Sequence, residues 1–403
     1  MALASILLLS PAAALALPER AMTNYINGAE LAARVITGSE ASPDLVDRLS
    51  KTLQKISDLA DTDPGAAAKA SKQLIGEASI SSMTLALTAA RQVQNIQGVR
   101  LHEYRDNPWS GAGQTTGYGS RLNRVWISGL GQWARQSDRD GVYGYKADIG
   151  GVAFGVDREA ASVPGLQVGL SGSVSTGRLK NNDGRGKTDF EAASIGLYGS
   201  YNFWDGFFID GNAAYGLGQH TTKTNLLIGG RKEGDFDSRT YQAGVTFGYV
   251  YRDPSGFKVT PSVGVQYYHY SQDGWREKVK NDPGNDVVAN WFKKRDNDTW
   301  EAPVKLKANT TLFTRSGLIL TPELRLGLIC VLHKPSAKVR MGFVGSDDYA
   351  QIYGIDSSRN RFQAGAGLKA QLTGSVDVFM DYDLEFRTGQ RSHNASLGLG
   401  VDF

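Results

Sequence analysis

The side chains that could carry out catalysis or bind a metal are scattered along this 403-residue chain. Nucleophilic catalysis needs a nucleophile and a base that converge, and a metal site needs several ligands at short, regular spacing. No Ser-His-Asp arrangement and no metal-ligand spacing stands out around the histidines, which are His102, His220, His269, His333 and His393. The single cysteine, Cys330, cannot form an intramolecular disulfide. The sequence therefore predicts no enzyme, no cofactor and no metal centre.

Charged residues, in contrast, follow a regular pattern near the end of the chain. Acidic and apolar residues alternate over residues 376–387, which is the period of an extended strand. One face carries Asp377, Asp381, Asp383 and Glu385, and the other carries Val376, Val378, Met380, Tyr382, Leu384 and Phe386. Residues 320–328 alternate in the same way. The sequence predicts strands that have one apolar face and one charged face.

Such strands recur from about residue 123 onward, separated by turn signals. About twelve are predicted, near 123–135, 143–157, 165–180, 187–203, 206–222, 236–252, 256–273, 298–314, 317–333, 358–372, 374–388 and 391–403. Every second connection is tight, as at Trp204-Asp205-Gly206 and Thr373-Gly374, whereas most others are long and polar, notably 272–297 and 334–357. An even strand number with short turns at one rim and long loops at the other is typical of outer-membrane β-barrels.

The composition fits a barrel of this kind. The net charge of +3 is too even to suggest a nucleic-acid partner, and the mean hydropathy of −0.31 argues against a helical membrane protein. An Arg or Lys that faces lipid at mid-bilayer costs roughly 2 to 4 kcal/mol, so the charged strand faces must line a polar lumen. Aromatic residues at strand ends, such as Tyr201, Trp204 and Tyr249, fit an interfacial girdle. The alternative, a soluble barrel with an apolar interior, does not explain so many long strands.

The first 17 residues are strongly apolar and contain Ala14-Leu15-Ala16, which could be a signal-peptidase site. No Lys or Arg precedes this stretch, so both a cleaved signal peptide and an internal piece of a longer precursor fit the pattern. Residues 1–69 are expected to be this signal-like segment followed by a short, helical passenger remnant.

Helical periodicity continues to about residue 105. Ser42-Pro43-Asp44 predicts a helix start, and Asp63-Pro64-Gly65 predicts a break. A second pattern over 70–105 is rich in small residues and, if continuous, would be roughly 54 Å long, enough to pass through a bilayer-thick object. A short surface hairpin broken at Gly76 and Gly98 is the alternative. A glycine-rich linker completes residues 70–120, and the barrel occupies 121–403.

Five short stretches occur in a characteristic order. They are Leu74-Ile75-Gly76-Glu77-Ala78, Val125-Trp126-Ile127-Ser128-Gly129-Leu130-Gly131, Gly150-Gly151-Val152-Ala153-Phe154-Gly155-Val156-Asp157-Arg158, Thr260-Pro261-Ser262-Val263-Gly264-Val265-Gln266-Tyr267 and Leu399-Gly400-Val401-Asp402-Phe403. Together they resemble the C-terminal translocator domain of classical autotransporters, the type V secretion family of Gram-negative bacteria, over about residues 70–403. The resemblance implies an all-β fold, a 12-stranded antiparallel transmembrane β-barrel with an N-terminal α-helix threading the pore.

The resemblance also implies a location and partners. The barrel would sit in outer-membrane lipid as a monomer, and would export its own passenger to the cell surface and anchor it there. The barrel-assembly machinery would read Leu397, Leu399, Val401 and Phe403, assisted by periplasmic chaperones. The same C-terminal strand would pair with the first strand and leave no open edge. A porin or surface adhesin without secretion function is the alternative, but would lack the long N-terminal helix.

Two hypotheses concern the pore helix. Because both segments must face the lumen, we expect Arg91, Arg100 and Arg105 of the helix to pair with the acidic stripe, which consists of Asp377, Asp381, Asp383 and Glu385. Some family members cut off their passenger through an asparagine in the pore. The candidate here is Asn95, but Gln94 precedes it where the cleaving subgroup has a second asparagine, so no cleavage is predicted.

Overall fold

The computed structural model describes residues 18–403 except 39–40, 107–122, 161, 205, 283, 285, 316, 335–336 and 356–359. The signal-like segment 1–17 and the glycine-rich linker therefore lie outside the described residues. No helix in the described part of the chain is long and apolar enough to cross a membrane.

The helices precede the barrel. They are α1 (Glu19–Thr37), α2 (Pro43–Thr62), α3 (Pro64–Leu74), a 3₁₀ helix (Glu77–Ser82) and α4 (Met83–Asp106). Helix α2 begins where its sequence predicts, because the Ser42 hydroxyl accepts a hydrogen bond from the backbone N–H of Leu45. Asp63 ends α2 and caps α3 in the same way, accepting from the N–H of Ala66.

The helical pattern over residues 70–105 does not form one continuous helix, and of the two possible breaks the one at Gly76 is present. Gly76 has φ of +64°, a left-handed conformation that favours glycine, and a Cβ there would lie 2.7 Å from Cζ of Phe292. The chain therefore turns at Gly76 and passes through the 3₁₀ helix before α4 begins. Gly98, in contrast, does not interrupt α4. The 24 residues of α4 span about 36 Å, which still exceeds the hydrocarbon thickness of a bilayer.

Twelve long strands form one closed antiparallel barrel in the described chain. They are β1 (Arg124–Gln136), β2 (Tyr145–Glu159), β3 (Leu166–Asn181), β4 (Gly186–Phe203), β5 (Phe207–Asn225), β6 (Arg231–Tyr249), β8 (Phe257–Gln272), β12 (Arg295–Thr310), β14 (Ile319–His333), β17 (Asn360–Gln371), β18 (Val376–Arg387) and β19 (Gln390–Asp402). Each pairs with the next, β6 pairs with β8, and β19 closes on β1. The prediction of a 12-stranded barrel is confirmed, and the largest boundary shift, about five residues, is at β6.

Seven short strands complete the sheet structure. They are β7 (Tyr251–Arg252), β9 (Trp275–Arg276), β10 (Lys278–Lys280), β11 (Asn290–Phe292), β13 (Leu312–Phe313), β15 (Lys338–Phe343) and β16 (Ala350–Tyr353). Of these, β9, β11, β15 and β16 form a second, four-stranded sheet. The sequence predicted only long polar loops at these positions. The two loops order because each supplies two strands to a shared sheet whose apolar face is covered.

The barrel wall has the predicted alternation. Leu324 and Leu326 of β14 are 66% and 61% exposed on the outside, whereas Asp377 and Asp381 of β18 are buried inside. At the short-turn rim the aromatic rings of neighbouring residues pack against one another, some stacked and some edge-on; they belong to Tyr201, Phe203, Trp204, Phe207, Phe247 and Tyr249. This ring cluster matches an interfacial girdle.

Helices α1 to α3 pack on the four-stranded sheet at the opposite, long-loop rim, and we call this unit the cap. Its apolar core includes Leu31, Leu49, Met341, Phe343 and Ile352, all with side chains closed off from solvent. Stacked rings of Phe236, Trp275 and Phe292 continue this core into β6 of the barrel. The cap therefore shares an apolar interior with the barrel mouth.

Polar contacts fix the cap at two further places. Asn24 of α1 donates to the carbonyl of Tyr353 and accepts from its N–H, both at 2.7 Å, so α1 covers the edge strand β16. At the end of α3, the buried ammonium of Lys232 on β6 donates to the carbonyls of Leu74 (3.0 Å) and Gln73 (3.3 Å). A cation at this position also suits the negative end of the helix dipole.

Candidate functional site in the barrel lumen

Helix α4 runs through the barrel from the long-loop rim to the short-turn rim. Its first turns, with Met83 and Leu87, pack against Tyr145 and Tyr270 near the long-loop ends of β2 and β8. Its last turn places Arg105 against Asp210, close to the tight turn that joins β4 to β5. The chain upstream of α4 therefore lies on the long-loop side, and the first barrel strand begins on the other.

Small residues let the helix lie close to one wall. Ala86, Ala89 and Ala90 of α4 lie beside small side chains of β3 and β4, among them Ser173, Ser175, Ala192, Ala193 and Ser194. Further along α4, toward the short-turn rim, a Cβ added at Gly196 would lie only 2.6 Å from the side-chain nitrogen of Gln97. This amide itself donates a hydrogen bond to Ser171. Close approach of α4 to this wall therefore depends on small residues on both surfaces.

Arg100 makes the most elaborate polar contact of the helix. Its guanidinium donates to both carboxylate oxygens of Asp157 on β2, at 2.9 and 3.0 Å. The same carboxylate accepts from the Tyr198 hydroxyl and from the Gln167 amide, both at 2.7 Å. Trp126 in turn donates to the Tyr198 oxygen at 2.8 Å. The buried charge on Asp157 is therefore fully hydrogen-bonded, which a buried ion pair requires if it is not to destabilise the fold.

Arg105 anchors the last turn of α4, and Arg91 anchors its third turn. Arg105 donates to both oxygens of Asp210, at 2.5 and 2.9 Å, and its guanidinium lies 3.7 Å from the ring centre of Phe208. Arg91 donates to Glu301 of β12 at 2.7 Å. Each of the three arginines thus pairs with a carboxylate on a different strand, namely β2, β5 and β12.

The predicted pairing of these arginines with the acidic stripe is corrected by these contacts. Asp381 and Asp383 pair with Arg325 of β14, Glu385 pairs with Arg361 of β17, and Asp377 pairs with Arg124 of β1. Arg91 reaches the stripe only indirectly, because Arg361 bonds Glu301 as well as Glu385. The physical reason is position: α4 lies mainly against β2 to β6, whereas the acidic residues of β18 lie beside arginines of β14, β17 and β1.

Sequence reasoning missed Asp157, Asp210 and Glu301 as partners. Each occupies an inward position of an alternating strand, so strand periodicity could have identified them as lumen carboxylates. Periodicity does not give the position of a strand around the barrel, and the choice of partner depends on that position.

A polar cavity of about 150 Å³ lies between α4 and the other wall. The helix contributes Asn95, Gly98 and His102 to its lining, and the wall contributes cations and carboxylates such as Lys305 and Asp383. Asn95 lies within the helix, and none of the described carboxylates is hydrogen-bonded to it. The helix therefore fills part of the lumen and leaves a charged space beside it.

Arg124, the first residue of β1, joins the seam of the barrel to the helix. Its guanidinium contacts Asp377 of β18, and lies 3.3 Å from Asp402 of β19 and 3.7 Å from Glu103 of α4. One side chain therefore contacts the last two strands and the pore helix together.

The C-terminal residues lie on the outer face of β19. Leu397 and Phe403 are 59% and 65% exposed there, and Leu399 and Val401 lie between them on the same face. Leu397, Leu399 and Val401 lie directly opposite residues of β1, as the closure prediction required. Recognition of this strand by an assembly machinery stays a prediction.

A closed twelve-stranded barrel with a lipid-facing apolar wall and a helix in its charged lumen defines the class of outer-membrane β-barrels with an occupied pore. Residues 125–383 match the model of the autotransporter beta-domain family, and the chain belongs to this family. It is thus an outer-membrane translocator barrel.

Similar proteins agree with this assignment. The chain is 23% identical over 365 residues to Outer membrane protein B of Rickettsia prowazekii, covering 85% of this chain and 22% of the relative. It is 22% identical to Outer membrane protein A of Rickettsia rickettsii, covering 69% of this chain and 12% of that protein. The chain thus spans less than a quarter of the length of these relatives.

Two solved structures share the fold. The translocator domain of the autotransporter NalP from Neisseria meningitidis aligns with a TM-score of 0.57 at 15% identity, covering 78% of this chain and 98% of that one. The beta domain of the Bordetella autotransporter BrkA aligns with a TM-score of 0.53 at 16% identity, covering 70% and 100%.

Proposed function

We propose that this barrel exports an N-terminal passenger to the cell surface and afterwards anchors it there, with α4 retained in the lumen. The observation that carries the proposal is that α4 is held by buried arginine–carboxylate pairs to β2 and β5 and by Arg91 to β12. Its N-terminal end opens to the long-loop rim, so a passenger upstream of it would lie on that side of the membrane.

The cap supports retention of the segment upstream of α4. We assign residues 19–74 to a unit that stays on the barrel mouth rather than to a free passenger remnant, because Leu31, Leu49 and Ala67 are fully buried against it. The passenger would then precede α1.

Single-channel conductance in planar bilayers tests the proposal. We compare the full chain with a variant that begins at Ser110 and with a variant that begins at Glu77, which keeps α4 and lacks α1 to α3. A large, steady pore is expected when α4 is absent, because the helix occupies the lumen. Equal conductance of the full chain and the Ser110 variant would favour a porin or surface-binding barrel. The Glu77 variant separates the contribution of the cap from that of α4.

The C-terminal strand is proposed to be the signal for the barrel-assembly machinery, with periplasmic chaperones delivering the unfolded chain. Phe403 projects from the outer face and contacts the barrel mainly through backbone hydrogen bonds with Asn123. Phe403→Ala should lower the amount of folded protein in the outer membrane, whereas refolding of the purified variant in detergent should be unchanged. Equal loss in both assays would assign Phe403 a structural role only.

We propose no chemical reaction for the barrel, including self-cleavage at Asn95. Asn95 has the backbone of a regular helix, and its side chain faces the cavity rather than a carboxylate partner. An N-terminal tag should remain on the barrel polypeptide in denaturing gels, both in the parent and in Asn95→Ala. Release of the tag from the parent alone would identify Asn95 as a nucleophile.

A further inference from the structure

Six cations on six neighbouring strands lie side by side on the outer surface near the long-loop rim. Direct cross-strand partners in the barrel are Arg391 and Arg135, Arg135 and Lys146, Lys146 and Lys180, Lys180 and Lys187, and Lys187 and Lys223. We call these residues the cationic row. All six point outward: Lys187 and Lys223 are half exposed and the other four are exposed.

The row is poorly neutralised by the protein. Lys187 lies 3.7 Å from Asp189, and Arg391 lies over the ring of Phe386. In the described chain, the side chains of Arg135, Lys146 and Lys180 form no hydrogen bond or ion pair. Like charges directly opposite each other on antiparallel strands are destabilising. Lys187 and Lys223, at one end of the row, have Asp189 and Glu233 beside them, whereas Arg135, Lys146 and Lys180 have no such partner. This central part of the row indicates that an anion from outside the protein neutralises it.

The ends of the row place it relative to the membrane. Beyond Arg391 the same register continues to Phe386 and Phe362, which face the lipid. Beyond Lys223 it continues to Glu233 and then to Lys278 of the short strand β10, above the barrel wall. Five inter-strand steps of about 4.8 Å make the row roughly 24 Å long. Because barrel strands tilt by roughly 35–45°, the row rises obliquely from the lipid interface to the surface loops.

Aromatic residues mark the interface beside the lower end. Trp133, two residues before Arg135 on the same face, is 51% exposed, and tryptophan is favoured at membrane interfaces. Arg135 therefore lies at the level of the lipid headgroups. In the neighbouring row on the membrane side, Asp148 and Asp189 flank Arg178, which pairs with Asp189 at 2.5 Å. These two acids therefore share their charge with Arg178 and offset the six cations of the row only in part.

We propose that the cationic row binds the phosphate groups of phosphorylated glycolipid headgroups in the leaflet on the long-loop side. Neighbouring strands place adjacent cations close enough for one phosphate to accept hydrogen bonds from two of them. The opposite sector of the barrel lacks this chemistry: the outward residues at the same end of β12 are Asp296, Asp298 and Trp300. The headgroups therefore bind along one side of the barrel, over β19 and β1 to β5.

The experiment compares the full-length parent with two double variants. The row variant is Lys146→Gln with Lys180→Gln. The control variant is Lys293→Gln with Lys294→Gln, which removes the same charge from exposed lysines of the same rim that are outside the row. Each protein is folded into phosphatidylcholine vesicles with or without lipopolysaccharide, and the Tm is measured from the heat-dependent mobility shift in gels. Further arms use dephosphorylated lipopolysaccharide and dissolved inorganic phosphate.

We expect lipopolysaccharide to raise the Tm of the parent and the control equally, and the row variant to lose most of this increase. In zwitterionic vesicles the row variant should be at least as stable as the parent, because like-charge repulsion is relieved. Dephosphorylated lipid should give no increase. An equal increase in parent and row variant would overturn the proposal, and an equal effect of inorganic phosphate would replace the lipid by a free anion.

A measurement on the parent alone gives a second test. High salt should abolish the lipopolysaccharide-dependent increase in Tm, because exposed charges are screened. An increase that persists at high salt would contradict binding through the row. None of these outcomes bears on export, which the conductance experiment tests separately.

Discussion

The cap and the lumen hold consecutive parts of the same N-terminal segment by different chemistry. In the cap, α1 to α3 are fixed by a continuous apolar core, with Leu49 and Met341 fully buried. In the lumen, α4 is fixed at separate points by Arg91, Arg100 and Arg105. Apolar burial is roughly proportional to area and has no direction, whereas a buried ion pair depends on both partners and on geometry.

This difference follows from what each region must do. A lumen that lets an unfolded chain pass has to be largely polar, so directed polar contacts position the helix that finally occupies it, in addition to small residues and two separate apolar clusters that include Leu87 and Leu101. The rim outside the membrane has no such requirement and can be sealed by an apolar core. A substitution in the lumen should therefore cost most of the stabilisation of an ion pair at once. A substitution in the cap should cost stability in proportion to the apolar area it removes.

The largest effect is expected for Asp157→Ala, which leaves the buried guanidinium of Arg100 without its main partner. Removing one member of a buried ion pair typically costs about 3 to 5 kcal/mol. Denaturant unfolding in detergent should show this loss, accompanied by higher conductance as α4 loosens. Asp148→Ala, on the exposed face of the same strand, serves as the control. Equal stability and equal conductance of the two variants would show that the ion pair between Arg100 and Asp157 does not hold α4 in the lumen.

Leu49→Ala should destabilise the cap by about 3 kcal/mol, because a fully buried leucine is lost and a cavity remains. Hydrogen exchange in α1 to α3 should accelerate, whereas conductance and barrel unfolding stay unchanged. Leu53→Ala, at a partly buried position of the same helix, should have a smaller effect. A change in conductance would show that the cap and the lumen are not independent.

Asn24→Ala tests the polar cover of the edge strand. Both backbone groups of Tyr353 lose their partner, and an unsatisfied buried group costs about 1 to 3 kcal/mol. Limited proteolysis should then cut α1 faster. Asn27→Ala removes a single hydrogen bond, to the carbonyl of Gln351, and should have less effect. Similar cutting rates in the two variants would contradict the two-bond role of Asn24.

The smallest expected effect is a pH dependence of α2. Lys55 donates a hydrogen bond to Asp286 at 2.9 Å, and together with Lys51 and Arg48 it lowers the pKa of that carboxyl. Because the folded pKa is depressed, the stabilisation is present above the ordinary aspartate range, near 4, and is lost as the pH falls through the lower folded value. Hydrogen exchange in α2 should increase in that window in the parent. If Asp286→Asn shows the same increase, another group is responsible.

The barrel was predictable because its signals are local. The number of strands follows from tight turns such as Thr373-Gly374 and from the spacing of motifs. Alternation within a strand such as β18 shows which side chains face lipid and which face the lumen. The cap sheet was not predictable, because β9, β11, β15 and β16 are two to six residues long and acquire a partner only when distant loops meet. Their sequence pattern is too short to distinguish a strand from a polar loop.

The lumen contacts show a similar division. Periodicity places Asp377 and Asp381 inside the barrel, but the partner of each depends on which strands lie on which side of α4. The break at Gly76 was visible as a possible helix interruption, and only the contact with Phe292 decides that the chain turns there. The alternation of residues along a strand therefore predicts which side chains point into the lumen. Three-dimensional packing determines which charged residue each of them pairs with.

The contacts of Arg124 have a consequence for the order of assembly. Its partners belong to β18, β19 and the pore helix, so they meet only after β19 has been synthesised and docked. Before that moment its charge lacks these carboxylates at the open end of an incomplete sheet. A barrel that closed without its helix, or a helix that entered an unclosed barrel, would lack part of this carboxylate cluster. Completion of the wall and occupation of the pore are thus energetically coupled through one guanidinium group.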